Sequence, residues 1–138
     1  MLVKDVMSRK VILIKPGQSA YSAVKLMVKY NISGMIVSDQ GRAVGMLTMK
    51  DVCRKVIAAD KDVHKTRVGD VMSKPVLTVH PLSKVEKAAE LMDKHHVKRL
   101  AVVDSKKVVG IVTVMDVVSK LPDLIDVMFK TWVKPGWK

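Results

Sequence analysis

The sequence predicts an α/β fold made of two copies of one β-α-β-β-α unit. First, the chain matches itself without a gap at an offset of 65 residues, for example DVMS at 5–8 against DVMS at 70–73. Second, VGMLTMKDV at 44–52 returns as VGIVTVMDV at 109–117. Third, in both copies a β-branched apolar run passes into a helical run, which is typical of a strand-to-helix turn. One copy is too small to bury its own sheet, so we expect the two copies to pack through their sheets.

The elements of the first copy follow from local patterns. A short helical turn ending near Ser8 precedes a brief strand at 11–14, which Pro16 stops. Ser19 is a candidate N-cap for a helix whose apolar residues recur at helical spacing. They are Ala20, Ala23, Val24 and Met27. Strands at 35–37 and 43–48, joined by a hairpin turn at 39–41, and a helix from 49 to about 60 complete the copy.

The second copy repeats this order. The pattern Ser83-x-x-Glu86 predicts a capping box at the start of its first helix, and Pro122 ends its last helix. The predicted boundaries are residues 1–60 for repeat 1, 61–67 for a charged linker, 68–121 for repeat 2 and 122–138 for a tail.

Composition indicates a folded protein. The 138 residues are 49% hydrophobic, the mean hydropathy is +0.16, and neither value is typical of a disordered chain. No apolar run approaches the roughly 18 residues of a membrane span, and the first ten residues lack a signal-peptide core. We therefore expect a cytoplasmic protein with no membrane insertion. The single cysteine, Cys53, has no disulfide partner in the chain, and we expect it to be a small core residue.

The charge balance favours anionic partners. Lys and Arg outnumber Asp and Glu by 25 to 13, which gives a net charge of +12. Nucleotides, nucleic acids and anionic surfaces are the usual partners of such a field. The lysines are spread over the whole chain, so charge alone does not select the anion.

Each strand-to-helix turn carries a threonine followed three residues later by an aspartate. The pairs are Thr48 with Asp51 and Thr113 with Asp116. A capping box explains this spacing without a ligand, because the threonine oxygen and the carboxylate satisfy backbone N–H groups. The alternative is a nucleotide site, because a helix start attracts phosphate and a carboxylate accepts hydrogen bonds from a ribose diol. One side chain can perform both roles.

The ordered set of motifs resembles the CBS domain. DVMS, a short strand, a proline, a helix with A-x-x-L-M, a turn, a strand ending in aspartate and VG-h-h-T-x-x-D (h apolar) occur twice, over about residues 1–120. The resemblance implies a Bateman module, in which two repeats are related by a pseudo-twofold axis and adenine nucleotides (AMP, ADP or ATP) bind in clefts between them. It also implies a homodimer formed by the helices after each Thr-x-x-Asp. On those helices Val52, Val56, Ile57, Val117, Val118 and Leu121 are candidates for the contact.

The same resemblance implies two unequal sites. The first combines Thr48 and Asp51 with Leu77, Lys98 and Arg99, and the second combines Thr113 and Asp116 with Ile12, Ser33 and Gly34. Lys50, between Thr48 and Asp51, could also reach phosphate. Because only the first site contains Lys98 and Arg99, we expect it to bind phosphorylated nucleotides more tightly.

Nothing in the sequence predicts catalysis. We find no Ser/His/Asp set, no metal-ligand cluster and no acid/base pair, so we expect a regulatory module without enzyme activity, metal or cofactor. The competing function is nucleic-acid binding, to RNA or single-stranded DNA, through the basic surface and a tail with Trp132 and Trp137 among lysines. The alternative for these tryptophans is packing on the domain or on a dimer partner.

Overall fold

The computed structural model describes residues 1–125, and these form two compact units. One unit is Ile12–Val76; the other joins Met1–Val11 to the chain from Leu77 onwards. The mixed α/β class and the two three-stranded sheets confirm the predicted fold class. The predicted tail, apart from its start at 122–125, lies outside the described residues.

The Ile12–Val76 unit contains a sheet in the order β1-β2-β3. Its elements are β1 (Leu13–Ile14), α2 (Ala20–Lys29), β2 (Gly34–Asp39), β3 (Arg42–Thr48), α3 (Met49–Val52) and α4 (Val68–Val71). Strand β1 is parallel to β2, and β2 is antiparallel to β3. The predicted hairpin turn is present, with positive φ at both Gln40 and Gly41, as a two-residue turn matched to strand twist requires. Strand β3 thus ends at Thr48, which is also the N-cap residue of α3.

The other unit has the same architecture, with strand order β4-β5-β6. Its elements are α1 (Val3–Val6), β4 (Thr78–Val79), α5 (Val85–His95), β5 (Arg99–Asp104), β6 (Lys107–Thr113), α6 (Val114–Lys120) and a 3₁₀ turn (Pro122–Leu124). The two registers correspond residue for residue, since Gly34 lies opposite Thr48 and Arg99 lies opposite Thr113.

Each unit completes its core with the short first helix of the other repeat. In one unit Val3 and Val6 of α1 join the core around α5 and β5, and in the other Val68 and Val71 of α4 join the core around α2 and β2. Backbone hydrogen bonds fix the segment after each helix to a strand: Ser8 pairs with Ile111 and Ser73 pairs with Met46, in both directions. Each unit in space therefore contains residues from both sequence repeats.

A glycine in each unit permits this close approach. A Cβ at Gly110 would lie 2.6 Å from Met7 Sδ and 2.9 Å from the carbonyl oxygen of Ser8. A Cβ at Gly45 would overlap Met72 Sδ in the same way. Both glycines belong to the repeated VG pair, so one reason for that pair is packing.

Two local predictions were wrong, the Ser83 cap and the burial of Cys53, and the predicted helix after Thr48 is present with a change of helix type. Helix α5 begins after Lys84, which makes no side-chain cap, so Ser83 is not the N-cap; the carbonyl oxygen of Met1 instead accepts the Val85 N–H at 3.1 Å. The helix after Thr48 is α-helical only to Val52 and then forms a π-helical turn over Cys53–Ile57. Cys53 is exposed rather than in the core, because Val52 and Val56 occupy the buried face of that turn.

Candidate functional site

Both Thr-x-x-Asp sequences form the predicted capping box. In the first, Asp51 Oδ2 accepts hydrogen bonds from the Thr48 N–H at 3.0 Å and from Thr48 Oγ1 at 3.1 Å. Thr48 Oγ1 accepts the Asp51 N–H at 3.1 Å. In the second, Asp116 Oδ2 accepts from the Thr113 N–H at 2.8 Å and from Thr113 Oγ1 at 3.0 Å. Each carboxylate is thus held at the end of a strand with one oxygen turned to its own helix start.

The N–H groups at these helix starts are largely used by the protein. The Met49 N–H donates to the carbonyl oxygen of Ser33 at 2.9 Å, and the Val114 N–H donates to that of Lys98 at 2.9 Å. Together with the capping bonds, this satisfies most of the donors that would attract phosphate to a helix start. Any anion at these turns must therefore be recognised mainly by side chains.

Asp51 belongs to a network that the sequence analysis missed. Lys55 Nζ lies 3.2 Å from Asp51 Oδ1 and donates to the carbonyl oxygen of Val71 at 3.0 Å. Ser73 Oγ donates to Asp51 Oδ1 at 3.2 Å. The Lys55 contact could have been read from its i,i+4 spacing. The Ser73 contact could not, because it depends on the return of α4 to the first sheet.

The second repeat does not reproduce the serine contact. Ser8, the residue equivalent to Ser73, donates its hydroxyl to the carbonyl oxygen of Lys10 at 3.4 Å and is exposed. The two aspartates are equivalent in sequence and in their caps, but they differ in this neighbour.

The remaining predicted site residues of the Ile12–Val76 unit lie around Thr48. Gly34 is buried and opposite Thr48, and Ser33 is joined to α3 through its carbonyl. Lys50 is exposed on α3, and Ile12 lies just before β1 and packs on the core.

The residues of the other unit surround Thr113 in the same way. Arg99 opens β5 opposite Thr113, and the Lys98 carbonyl caps α6. Leu77 precedes β4 and packs on the core, and its carbonyl accepts the Ala101 N–H at 3.2 Å. Within a unit, the structure brings Lys98 and Arg99 next to Thr113 and Asp116. Their predicted pairing with Thr48 and Asp51 stays a prediction.

Three further points concern metal binding, membrane spans and the C-terminal tail. Among residues 1–125, no group of three or more His, Cys, Asp or Glu side chains is placed to hold a metal ion. In the same part of the chain, every helix is too short or too polar to cross a membrane. Trp132 and Trp137, on which the nucleic-acid hypothesis depends, lie outside the described residues.

Comparison with known proteins identifies the repeats. The family described as "CBS domain" matches residues 3–58 and 68–123, which together are most of the chain. The CBS domain-containing protein YhcV of Bacillus subtilis is 36% identical over 114 residues, covering 83% of this chain and 81% of YhcV. The L-aspartate semialdehyde sulfurtransferase of Methanosarcina acetivorans is 38% identical over 122 residues, covering 87% of this chain but only 23% of that protein.

Solved structures share the fold. The CBS domain pair of protein MJ0100, in complex with 5′-methylthioadenosine and S-adenosylmethionine, is 33% identical with a TM-score of 0.78, and the match covers 88% of this chain and 98% of that one. Hypoxic Response Protein I, with two coordinated zinc ions, is 25% identical with a TM-score of 0.81, covering 88% of this chain and all of that one. The repeated motif order, the paired capping boxes and these matches together show that the chain belongs to the CBS domain family, as a tandem pair of CBS domains.

Proposed function

We propose that this protein is a non-catalytic regulatory module that binds an adenine nucleotide through its two Thr-x-x-Asp turns. One observation carries the proposal: each turn fixes a carboxylate at a strand end, in a family where the MJ0100 pair binds two adenosine-containing ligands. Asp51 and Asp116 would accept hydrogen bonds from ribose hydroxyls, a role for which a carboxylate is well suited. The absence of catalysis and a cytoplasmic location are parts of this proposal.

Charge favours a phosphorylated ligand. The net charge of +12 attracts an anion and disfavours a cation. AMP, ADP and ATP carry phosphate, whereas S-adenosylmethionine carries a sulfonium. We therefore place AMP, ADP or ATP ahead of S-adenosylmethionine for this chain, although MJ0100 binds the latter.

A thermal-shift screen tests the ligand class. AMP, ADP, ATP, adenosine, S-adenosylmethionine and a short RNA would be compared at two salt concentrations. A ligand at 100 times its dissociation constant stabilises the protein by about 2.7 kcal/mol. We expect stabilisation by the phosphorylated adenosines at both salt concentrations. Stabilisation by RNA alone, lost steeply with salt, would support the nucleic-acid function instead.

We further propose that the two sites are unequal, with the Asp51 site the tighter for phosphorylated nucleotides. This follows from the family resemblance, which pairs Asp51 with Lys98 and Arg99. A charge-assisted hydrogen bond contributes about 1.5–3 kcal/mol, so Arg99→Ala should weaken AMP binding by roughly ten- to a hundredfold and leave adenosine nearly unchanged. Calorimetric titration of Arg99→Ala, Asp51→Ala and Asp116→Ala distinguishes the sites. If Arg99→Ala binds AMP like the parent while Asp116→Ala abolishes binding, the assignment is reversed.

We also propose a homodimer formed through the helices after each Thr-x-x-Asp. Val52, Val56 and Val117 are buried in the cores, so they are not available for such a contact. Exposed apolar side chains nevertheless remain at Ile57, 60% exposed, and Met115, 58% exposed. These two side chains are the contact that we assign to the dimer.

A further inference from the structure

A cavity outside the two Thr-x-x-Asp turns is lined largely by basic residues. It lies in the Ile12–Val76 unit and has a volume of about 320 Å³. Its lining residues are Ser19, His64, Lys65, Thr66 and Arg67. Four of these come from the segment that the sequence analysis described as a charged linker. None of the five carries a carboxylate, so the cavity wall combines two fixed positive charges with an imidazole and two hydroxyls.

Backbone hydrogen bonds hold this segment against the start of α2. The Ala20 N–H donates to the carbonyl oxygen of Thr66 at 2.8 Å, and the Tyr21 N–H donates to that of Val63 at 3.0 Å. Ser19 also forms a backbone bridge with Arg67. These bonds use the N–H groups at the start of α2, together with the Ser19 cap on Ser22. The attraction for an anion therefore comes from side chains rather than from the helix start.

Further contacts orient the cavity side chains. The rings of Tyr21 and His64 lie 4.1 Å apart between centroids. Arg67 donates one guanidinium hydrogen bond to the carbonyl oxygen of Gly17, which uses one of the five donors of that group. Asp62 is the acidic residue of this segment, and its Oδ1 accepts a hydrogen bond from the backbone N–H of His64 at 2.8 Å. The Asp62 carboxylate thus shapes the turn while lying outside the cavity lining.

The equivalent place in the other unit has different chemistry. There the Val85 N–H donates to the carbonyl oxygen of Met1, and Leu2 bridges to Lys84. At the offset of 65 residues, Met1 and Leu2 are equivalent to Thr66 and Arg67 of the Ile12–Val76 unit. The same backbone arrangement therefore carries an apolar pair in one unit and the polar, basic pair in the other. The basic cavity is a property of the 61–67 segment and not of the repeated fold.

We propose that this cavity binds a phosphate dianion, either inorganic phosphate or a phosphate monoester. A guanidinium offers a planar fork that matches phosphate oxygens, and a lysine adds a point charge. The imidazole of His64 supplies a further donor, whereas the Ser19 and Thr66 hydroxyls already donate to Ser22 Oγ at 3.0 Å and to the carbonyl oxygen of Asp62 at 2.8 Å. The site is separate from the adenine-nucleotide sites proposed above and does not require them.

The test uses the full chain and two ligands. Inorganic phosphate and glycerol phosphate are titrated at low salt while the His64 imidazole resonances are followed by NMR, and the affinities are measured by calorimetry. We expect a saturable shift at His64, unaltered by saturating adenosine. Lys65→Gln and Arg67→Gln should each weaken binding about tenfold, the loss of one charge-assisted hydrogen bond. A preference for one ligand identifies the source of the phosphate.

Matched variants separate the cavity from the general basic field. Arg42→Gln removes the same charge from an exposed residue at the start of β3 and should leave phosphate affinity unchanged. Arg67 also donates to the Gly17 carbonyl oxygen, so Arg67→Gln removes a contact of the fold as well as a charge. Lys65→Gln and Arg67→Lys therefore separate phosphate binding from folding. Unchanged phosphate affinity in Lys65→Gln and Arg67→Gln, or an equal loss in Arg42→Gln, would overturn the proposal. So would phosphate binding that leaves the His64 resonances unmoved.

Discussion

Replacing Ser73 by alanine should destabilise the protein more than replacing Ser8, although the two serines are equivalent in the sequence repeat. Ser73 Oγ donates to the Asp51 carboxylate, with distances of 3.2 Å to Oδ1 and 3.4 Å to Oδ2, and is half-buried. Ser8 Oγ donates to the carbonyl oxygen of Lys10 at 3.4 Å and is exposed. The two substitutions therefore compare a hydrogen bond to a charged acceptor with a long hydrogen bond to a neutral one.

The expected difference follows from these contacts. Hydrogen bonds to charged groups contribute about 1.5–3 kcal/mol, and the 3.2 Å length places this one near or below the lower end. We expect Ser73→Ala to cost about 1–1.5 kcal/mol and Ser8→Ala to stay within about 0.5 kcal/mol, as an exposed substitution usually does. For a chain of this length, 1 kcal/mol lowers the melting temperature by about 3–5 °C.

Double-mutant cycles measured by urea denaturation check this reasoning. The Ser73→Ala/Asp51→Ala cycle should give a coupling energy of about 1 kcal/mol, and the Ser8→Ala/Asp116→Ala cycle should give a value near zero. The matched cycle controls for the loss of the capping box, which both aspartates share. Equal costs for the two serines, or no coupling between Ser73 and Asp51, would refute the asymmetric network.

Two further predictions concern packing and assembly. Gly110→Ala should destabilise the protein by about 1–3 kcal/mol in a thermal melt, because its Cβ would meet Met7 Sδ and the carbonyl oxygen of Ser8. Adding Met7→Ala to the same chain should restore only part of the lost stability, because the contact with the Ser8 carbonyl remains. The parent chain should have the mass of a dimer by light scattering at tens of micromolar, and Ile57→Asp and Met115→Asp should each shift the mass toward that of the monomer. Val28→Asp, at a 68% exposed residue outside those helices, is the control and should leave the mass unchanged. A monomeric parent chain contradicts the dimer.

Short-range features of the fold were predictable from the sequence. The two Thr-x-x-Asp caps involve residues three apart, and their geometry depends mainly on the strand-to-helix turn that contains them. The first hairpin follows from Gly41 in its turn, and the second lies at the equivalent place in the repeat, at Ser105 and Lys106. The gapless repeat then transferred each local prediction from one copy to the other.

Long-range contacts were not predictable in this way. Ser83-x-x-Glu86 has the spacing of a capping box, yet α5 begins one residue later because the Met1 carbonyl accepts the Val85 N–H. The offset of 65 residues aligns Lys84 with Ser19, which caps α2. The repeat therefore predicts the start of α5 correctly, whereas the local motif does not. The contact of Ser73 with Asp51 likewise required knowledge that α4 returns to the first sheet.

The central claim is that the paired carboxylates bind the ribose of an adenine nucleotide. Calorimetric titration of AMP into the Asp51→Asn/Asp116→Asn double variant tests it most directly. Asparagine keeps an acceptor oxygen for the cap, so the fold should persist, and Asp39→Asn/Asp104→Asn removes the same charge from exposed, equivalent residues at the two hairpins. We predict that AMP affinity falls at least tenfold in the first variant, an effect of about 1.4 kcal/mol or more, and is unchanged in the second. AMP affinity like that of the parent in a folded Asp51→Asn/Asp116→Asn protein would contradict the claim.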